Sequence, residues 1–320
     1  MRKLLLAFLF LGLFLVAVIY FKKDSLTLIS PIPKPDSLDQ SSVDISLNNN
    51  WFPKKSETSS KKSQPLSLSS KSAILVDYDT GEILFSKDPN LKLSVASTVK
   101  IMTALVTLSS ARLTDVYTVS QKAAEVGENS MNLEAGEKLT VEELLYGLML
   151  VSGNDAAITL AEGVSGTDEK FVKQMNIAST SLSLKNTKFI NPSGLDEDGQ
   201  SQYATAYDLS VIARYTWENY PKFREISSTY HKIIDANQNH KAFDLYNDTN
   251  LLTSYPGVRG IKPGFTWESG LCLVTYAENG GKRLLGVILG SVNRRGEMKE
   301  LLDYGFAQYG IKVEHPGLDL

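Results

Sequence analysis

The sequence predicts an α+β fold: an antiparallel sheet built from both ends of the chain, flanked by helices, with a helical block between. β-prone runs lie at residues 72–87 and again at residues 270–291, near the two ends of the globular part. Apolar repeats typical of amphipathic helices fill the interval between them. Because strands grouped apart from helices are typical of α+β proteins, we expect one domain over residues 71–313 in which both strand groups share a sheet.

The first elements of this domain are a hairpin and a helix. Residues 72–78 (SAILVDY) and 82–87 (EILFSK) are apolar and β-prone, and residues 79–81 (DTG) between them are a hairpin signal. Residues 93–108 (LSVASTVKIMTALVTL) then predict an apolar helix.

The middle of the chain is predicted to be helical. Residues 152–154 (SGN) interrupt the apolar pattern between two of the helices, and Thr205 is placed to cap another. The predicted helices lie at residues 142–151, 155–162, 168–179 and 206–219.

The end of the domain returns to β structure. Residues 257–262 lead into two runs, 270–277 (GLCLVTYA) and 282–291 (KRLLGVILGS), which predict a hairpin over residues 278–281. A terminal helix is predicted at residues 295–309 from its spaced apolar positions.

Composition excludes several classes of protein. With 42% hydrophobic and 22% charged residues the chain is typical of a globular protein, and its formal charge of −3 argues against a nucleic-acid partner. Its single cysteine, Cys272, stands among apolar neighbours and is interpreted as a buried packing thiol. The three histidines, His231, His240 and His315, are too far apart for a ligand motif or a Ser-His triad, so no metal site is predicted.

The N-terminal part precedes the predicted domain. Residues 4–21 form an apolar run long enough to cross a bilayer, and bulky residues where a cleavage site would stand favour an uncleaved anchor over a signal peptide. We therefore predict an anchor or signal segment over residues 1–22 and a flexible tether, rich in Ser, Pro and Lys, over residues 23–70. Within the tether, Trp51 and Phe52 are expected to touch the membrane surface or the domain. Residues 314–320 are assigned as a tail.

The start of the helix at residues 93–108 combines a hydroxyl with an amine. Ser97 and Lys100 are three residues apart, so their side chains share one face of a helix. Free N–H groups at a helix start favour negative charge, which suits a serine that attacks an acyl group. Alone, the pair is weak evidence for a catalytic site, because Ser59 and Lys62 match the same pattern in a polar stretch.

Two further short motifs strengthen the pair. Residues 152–154 (SGN) fit Ser-x-Asn, and residues 262–264 (KPG) depart by one residue from Lys-Thr-Gly. Together with Ser-x-x-Lys these are the signature of penicillin-binding proteins and class A β-lactamases. Residues 46–48 and 291–293 also fit Ser-x-Asn, so the order of the motifs along the chain and their sequence context have to decide which match belongs to the signature.

The context of these motifs resembles the serine D-Ala-D-Ala carboxypeptidases, the low-molecular-mass penicillin-binding proteins. The resemblance extends over residues 71–310, with segments in family order and spacing. It is carried by LTVEELLYGLMLVSGNDAA (139–157), FINPSGLDEDGQSQYATAYDL (189–209), NDTNLL (247–252) and GVRGIKPGFTWESGLCLV (257–274).

The resemblance implies catalytic roles for three residues. Ser97 would attack the D-Ala-D-Ala carbonyl and form an acyl-enzyme, and Lys100 would be the general base. A neutral amine is required for that role, and burial together with a nearby Lys262 would lower the pKa of Lys100. Ser152 would relay a proton to the departing D-Ala amine. Water then releases the product, so no metal or cofactor is implied.

The resemblance also implies a set of binding residues. Asn154 would hold a peptide carbonyl of the substrate, although it could instead cap the helix that follows. The backbone N–H groups of Ser97 and Phe265 would form the oxyanion hole. The substrate-binding positions are Asn154, Lys262, Gly264, Phe265 and Thr266.

Pro263 stands where the family has a threonine whose hydroxyl helps to hold the substrate's terminal carboxylate. Proline has neither a hydroxyl nor an N–H, but an edge strand tolerates it at an outward position. The backbone N–H of Phe265 would then still be available for the oxyanion hole. The carboxylate contact is expected to come from Thr266, or from Arg294 or Arg295, since a guanidinium can bind a carboxylate with two hydrogen bonds.

The leading functional hypothesis is a membrane-tethered D,D-carboxypeptidase that trims peptidoglycan stem peptides and is inhibited covalently by β-lactams. The resemblance places its catalytic domain outside the cytoplasm on a single N-terminal pass, or secretes it if the segment is cleaved. The alternatives are a weakly catalytic or non-catalytic muropeptide-binding protein, motivated by Pro263, and a D,D-endopeptidase. A β-lactamase would need a carboxylate for deacylation, which the sequence does not assign.

Overall fold

The computed structural model describes residues 51–55, 66–197, 202–249 and 251–315. The predicted membrane segment at residues 1–22, most of the tether and most of the tail lie outside these ranges. Within the ranges, no helix combines the length and the apolar character needed to cross a membrane.

The main sheet has six strands and confirms the predicted architecture. Its spatial order is β1-β3-β2-β10-β9-β8, so strands from the front and the end of the domain meet where β2 pairs with β10. All pairings are antiparallel except the short parallel contact between β1 and β3. The described strands are β1 Lys54–Lys55, β2 Ser72–Asp77, β3 Glu82–Lys87, β4 Val116–Thr118, β5 Lys138–Thr140, β6 His231–Ile234, β7 Phe243–Tyr246, β8 Val258–Thr266, β9 Gly270–Asn279 and β10 Lys282–Ser291.

The predicted helices are present, with one change at the first of them. Ser97 lies in a 3-10 turn, Ala96–Val99, and the α-helix begins only at Lys100. The Thr205 side chain accepts a hydrogen bond from the Asp208 N–H, which confirms the predicted cap. The described α-helices are α1 Lys100–Ser110, α2 Gln121–Ala124, α3 Val141–Leu150, α4 Asn154–Ser165, α5 Asp168–Ser181, α6 Ala206–Asn219, α7 Pro221–Ser228 and α8 Arg294–Ala307.

The sheet separates two apolar cores. On one face, Ile74 and Val76 of β2 belong to a cluster with the helical block, and α1 is buried from Lys100 to Thr107. On the other face, Leu75 packs with the apolar positions of α8, among them Leu301. Because successive side chains of a strand point to opposite faces, the continuously apolar β2 serves both cores.

Part of the predicted tether is folded onto the domain. Trp51 is only 9% exposed and belongs to the larger core, and the Arg214 guanidinium lies 4.8 Å from its ring. Lys54 pairs with Glu82 and Lys55 with Ile83, so Lys54–Lys55 extends the sheet beyond β3. The prediction of a flexible tether is therefore wrong for these residues, because one large ring buries enough apolar surface to hold a short polar strand.

The end of the predicted tether is fixed as well. Leu68 is buried in the smaller core, and the backbone N–H groups of Ser69 and Ser70 donate to the carboxylate of Glu297 on α8. The ordered domain thus begins before residue 71. The sequence did not indicate this, because the partner of these amides is distant in the chain.

Replacing Trp51 with alanine should lower the free energy of unfolding by about 3 kcal/mol, since it removes a buried ring from the core. Trp51→Phe should cost much less, because it keeps a ring and deletes a buried indole N–H that has no partner among the described residues. Lys54→Ala, at an exposed position, is the control. Chemical denaturation measures all three, and equal stabilities would show that residues 51–55 do not support the domain.

Candidate active site

The strand β8 lies at one edge of the main sheet and is paired with β9. Pro263 lies opposite Leu273 in this pairing. Since proline cannot donate to a ladder, its nitrogen has to face outward, and alternation then directs the Phe265 N–H outward too. The edge position expected for Pro263 is confirmed.

The Ser97 backbone is pressed against this edge strand. A Cβ atom at Gly264 would lie 3.0 Å from the Ser97 nitrogen, so only glycine permits this approach without displacement. Ala96 has a positive φ of 47°, and a Cβ at Gly194 would overlap its carbonyl group. The amide of Ser97 therefore lies beside the residue that precedes Phe265, as a two-donor oxyanion hole requires.

The Lys100 amine is surrounded by three oxygens. Its Nζ lies 3.0 Å from Ser97 Oγ, 2.7 Å from Asn154 Oδ1 and 2.5 Å from the Ser193 carbonyl oxygen. The last two oxygens can only accept, so they take the two N–H bonds of a neutral amine. The lone pair is then left facing the hydroxyl of Ser97.

The environment of Lys100 favours this neutral form. The side chain is fully buried, and burial lowers its pKa well below the ordinary value for lysine. The positive charge of Lys262 lowers the pKa further, while Asp248 and Asp155 oppose the shift. Both causes expected from the sequence, burial and Lys262, therefore act on Lys100.

The loop at residues 152–154 presents its amide to this lysine. The helix α4 begins at Asn154 with Gly153 at its cap position and no side-chain cap, so Asn154 does not cap the helix. Its Nδ2 instead donates to the Gly127 carbonyl, which orients Oδ1 toward Lys100. Ser152 is buried with a positive φ of 59°, a backbone geometry uncommon for serine. Its role as a proton relay stays a prediction.

The carboxylate of Asp155, the residue after Asn154, holds the same loop in place. Its carboxylate accepts hydrogen bonds from Ser130 Oγ and from the backbone N–H groups of Met131 and Leu133. A buried carboxylate bound by several donors is rigid, because each lost bond would leave charge unpaired. The position of Asn154 therefore depends on residues that the sequence did not single out.

Lys262 is fully buried and forms an ion pair with Asp248 at 3.2 Å. Burial lowers the pKa of Lys262, and the Asp248 carboxylate opposes this shift. The Asp248 N–H donates to the carbonyl of Leu150, just before Ser152. Asp248 thus connects the β8 lysine to the loop that carries Ser152 and Asn154.

The three residues proposed for carboxylate binding differ in position. Arg294 Nη1 donates to the Gly264 carbonyl at 2.7 Å, so this guanidinium reaches β8. The Thr266 hydroxyl is paired with that of Ser269 in the turn after β8. Arg295 is exposed. Thr266 lies on the strand that carries Pro263, and of the two arginines Arg294 is the one that the structure brings to this strand.

Sequence reasoning missed Ser193, Gly194, Asp155 and Asp248. Ser193 and Gly194 lie within FINPSGL, and Asp248 within NDTNLL, segments that served only as context. Glycine in an otherwise polar loop was the available signal, since it permits close approach of backbone. Cys272 is buried as predicted. Among the described residues, no cluster of histidine, cysteine and carboxylate side chains has the arrangement of a metal site.

Comparison with known proteins identifies the family. A family model described as D-alanyl-D-alanine carboxypeptidase matches residues 58–293. A D-alanyl-D-alanine carboxypeptidase of Bacillus subtilis is 38% identical over 257 residues, which cover 78% of this chain and 65% of that protein. One from Mycobacterium tuberculosis is 35% identical over 240 residues, covering 73% of this chain and 81% of that protein. The chain thus spans just under two thirds of the Bacillus protein.

Solved structures show the same fold. The DD-transpeptidase of a Streptomyces strain superposes with a TM-score of 0.72 at 31% identity, covering 77% of this chain and all of that one. A D-alanyl-D-alanine carboxypeptidase from Mycobacterium tuberculosis gives a TM-score of 0.72 at 32% identity, covering 77% of this chain and 94% of that one. On the match over residues 58–293 and these relatives, the chain belongs to the D-alanyl-D-alanine carboxypeptidase family.

Proposed function

We propose that this chain is a serine D-alanyl-D-alanine carboxypeptidase that removes the terminal D-Ala from peptidoglycan stem peptides. The observation that carries the proposal is the Lys100 amine, fully buried, 3.0 Å from Ser97 Oγ and held by Asn154 and Ser193. A neutral amine in this position can take the hydroxyl proton as the serine attacks.

In the first step, Ser97 Oγ attacks the carbonyl carbon of the D-Ala-D-Ala bond while its proton moves to Lys100 Nζ. The charge that develops on the carbonyl oxygen would be stabilised by the N–H groups of Ser97 and Phe265. Fixed donors of this kind are worth several kcal/mol in a site without water, because they need no reorganisation.

In the second step, the carbon–nitrogen bond breaks, and the proton that Lys100 Nζ took from Ser97 passes through a relay to the departing D-Ala amine, which makes Lys100 neutral again. We assign the relay to the Ser152 hydroxyl, supported by the contact of Asp248 with both Lys262 and the Leu150 carbonyl just before Ser152. The acyl group stays on Ser97 as an ester until water attacks it and releases the shortened peptide.

The same chemistry makes β-lactams covalent inhibitors. Their strained amide would acylate Ser97 as the peptide does, and because the ring opens without separating into two molecules, the leaving group remains attached. We further propose that residues 1–22 hold the catalytic domain at the outer face of the cell membrane. This placement is supported by the apolar run at residues 4–21 and by a substrate that lies outside the cytoplasm.

The proposed function is tested by incubating the protein with a peptide ending in D-Ala-D-Ala and measuring released D-Ala. We expect release by the wild type and loss of release in Ser97→Ala, together with loss of a labelled penicillin adduct. Ser59→Ala, which removes the serine of the second Ser-x-x-Lys pair, is the matched control and should behave as wild type. An adduct that survives in Ser97→Ala would place the nucleophile elsewhere.

The pKa of Lys100 predicts a pH profile for acylation. Since the base must be neutral, the acylation rate should rise with pH through the lowered pKa and reach half its maximum below 10.5, the ordinary value for lysine. Lys262→Gln removes a charge that lowers this pKa, so the midpoint should move upward. Penicillin acylation rates measured across pH give both midpoints.

Lys100→Arg is the companion variant for the pH experiment. A guanidinium stays protonated and cannot accept the serine proton, so acylation should be lost at every pH despite the retained charge. An arginine variant that acylates at a rate near wild type would show that another group is the base.

Pro263→Thr tests how the terminal carboxylate of the substrate is bound. A threonine hydroxyl on the edge strand could donate to the terminal carboxylate, and a charge-assisted bond of about 1.5 to 3 kcal/mol corresponds to about ten- to hundredfold in kcat/KM. Peptides with an amidated C-terminus should gain little. If the wild type already hydrolyses the free acid well and threonine adds nothing, Arg294 holds the carboxylate; if neither protein releases D-Ala but both bind muropeptide, the protein is a binding protein.

A further inference from the structure

An exposed aromatic pair stands at the end of the catalytic strand. Trp267, in the turn after β8, is 94% exposed, and Phe265 is 47% exposed. Their ring centroids are 5.5 Å apart at an angle of 70°. The chain has three tryptophans, and the other two, Trp51 and Trp217, are 9% and 6% exposed. Trp267 is thus the single tryptophan that stands in solvent.

A carboxylate adjoins this pair. Glu268 follows Trp267 directly and is exposed. Among the described residues, the cation–π contacts and ion pairs include neither Trp267 nor Glu268. An exposed ring and a negative charge on consecutive residues, neither with a cation among the described residues, are complementary to an external cation.

In the proposed mechanism, the two ends of β8 lie beside different parts of the substrate. In this mechanism the leaving amine faces Lys262, because Asp248 pairs with this lysine and also donates to the Leu150 carbonyl at the end of α3, two residues before the proposed relay Ser152. The scissile carbonyl faces the Phe265 N–H. The acyl part of the peptide therefore continues past Phe265 toward Trp267, whose ring centroid lies 5.5 Å from that of Phe265.

We propose that Phe265, Trp267 and Glu268, here called the aromatic ledge, bind the side chain of the residue immediately before the acyl D-Ala. The ledge selects a long aliphatic side chain that ends in an ammonium group. The methylene groups would pack on the two rings, and the ammonium would meet the Trp267 face and the Glu268 carboxylate. This inference rests on the proposed function and names a determinant of its substrate class.

The first test compares peptides that differ only at the residue before D-Ala-D-Ala: lysine, N-acetyl-lysine, norleucine and alanine. Trp267→Ala should lower kcat/KM for the lysine peptide about tenfold, less for the two uncharged long chains, and leave the alanine peptide unchanged. Trp267→Phe should keep most of the activity. Tyr230→Ala removes another exposed aromatic, the residue just before β6, and should affect no peptide. An equal loss for all four peptides would overturn the proposal.

Glu268→Gln separates charge from packing. The variant should weaken the preference for lysine over norleucine while leaving kcat/KM for norleucine and alanine unchanged, because it removes only the charge. Raising the salt concentration should weaken the same preference in the wild type. A preference for lysine that survives both changes would show that the ledge does not bind the ammonium.

A binding measurement separates failure of the ledge from failure of the proposed function. In Ser97→Ala, which cannot form the acyl-enzyme, lysine peptide should protect Trp267 emission from iodide quenching, whereas Trp51 and Trp217 are already shielded. Absence of protection overturns the ledge. If D-Ala is still released from the alanine peptide by the wild type, the proposed function stands without it. If no peptide is hydrolysed, the function fails, and protection by lysine peptide alone would still support the ledge.

Discussion

The burial of one amine governs the arrangement of the catalytic side of the molecule. Lys100 is a base only if its nitrogen is neutral, and it is neutral only if water is excluded from it. Every residue from Lys100 to Thr107 on α1 is buried, which requires the helical block on one side and the sheet on the other. The depth of the fold around α1 is therefore a condition of the chemistry.

Burial alone would leave the amine free to turn, and the neighbouring segments prevent this. Asn154 and Ser193 come from different parts of the chain, yet both oxygens lie within hydrogen-bond distance of Nζ. Each is fixed in turn: the Asn154 loop by Asp155, and the Ser193 loop by Thr103, whose hydroxyl donates to the Pro192 carbonyl. The direction of one lone pair thus depends on contacts made by residues far apart in sequence.

Much of the fold and of the site could be predicted from the sequence. Periodicity indicated β2, β3, β9 and β10, and Ser97, Lys100, Asn154 and Lys262 were found because short motifs keep their order along the chain. The shortest strands, β1 and β4 to β7, were not predicted, since two to four residues are too few to show an alternating hydrophobic pattern. Asp248 and Ser193 escaped for another reason: their roles arise from a partner in space, and in Ser193 from a backbone carbonyl that no residue type reveals.

The edge strand β8 has a consequence beyond catalysis. A strand that stays open for a substrate also offers its N–H and C=O groups to any other strand, including that of a second copy of the chain. The opposite edge is extended by β1, whereas β8 cannot be covered without closing the cleft. Pro263 interrupts the row of donors on β8, so an incoming strand meets a gap in its ladder. The residue that brings neither a backbone N–H nor a hydroxyl to this strand also makes that edge a poor template for self-association.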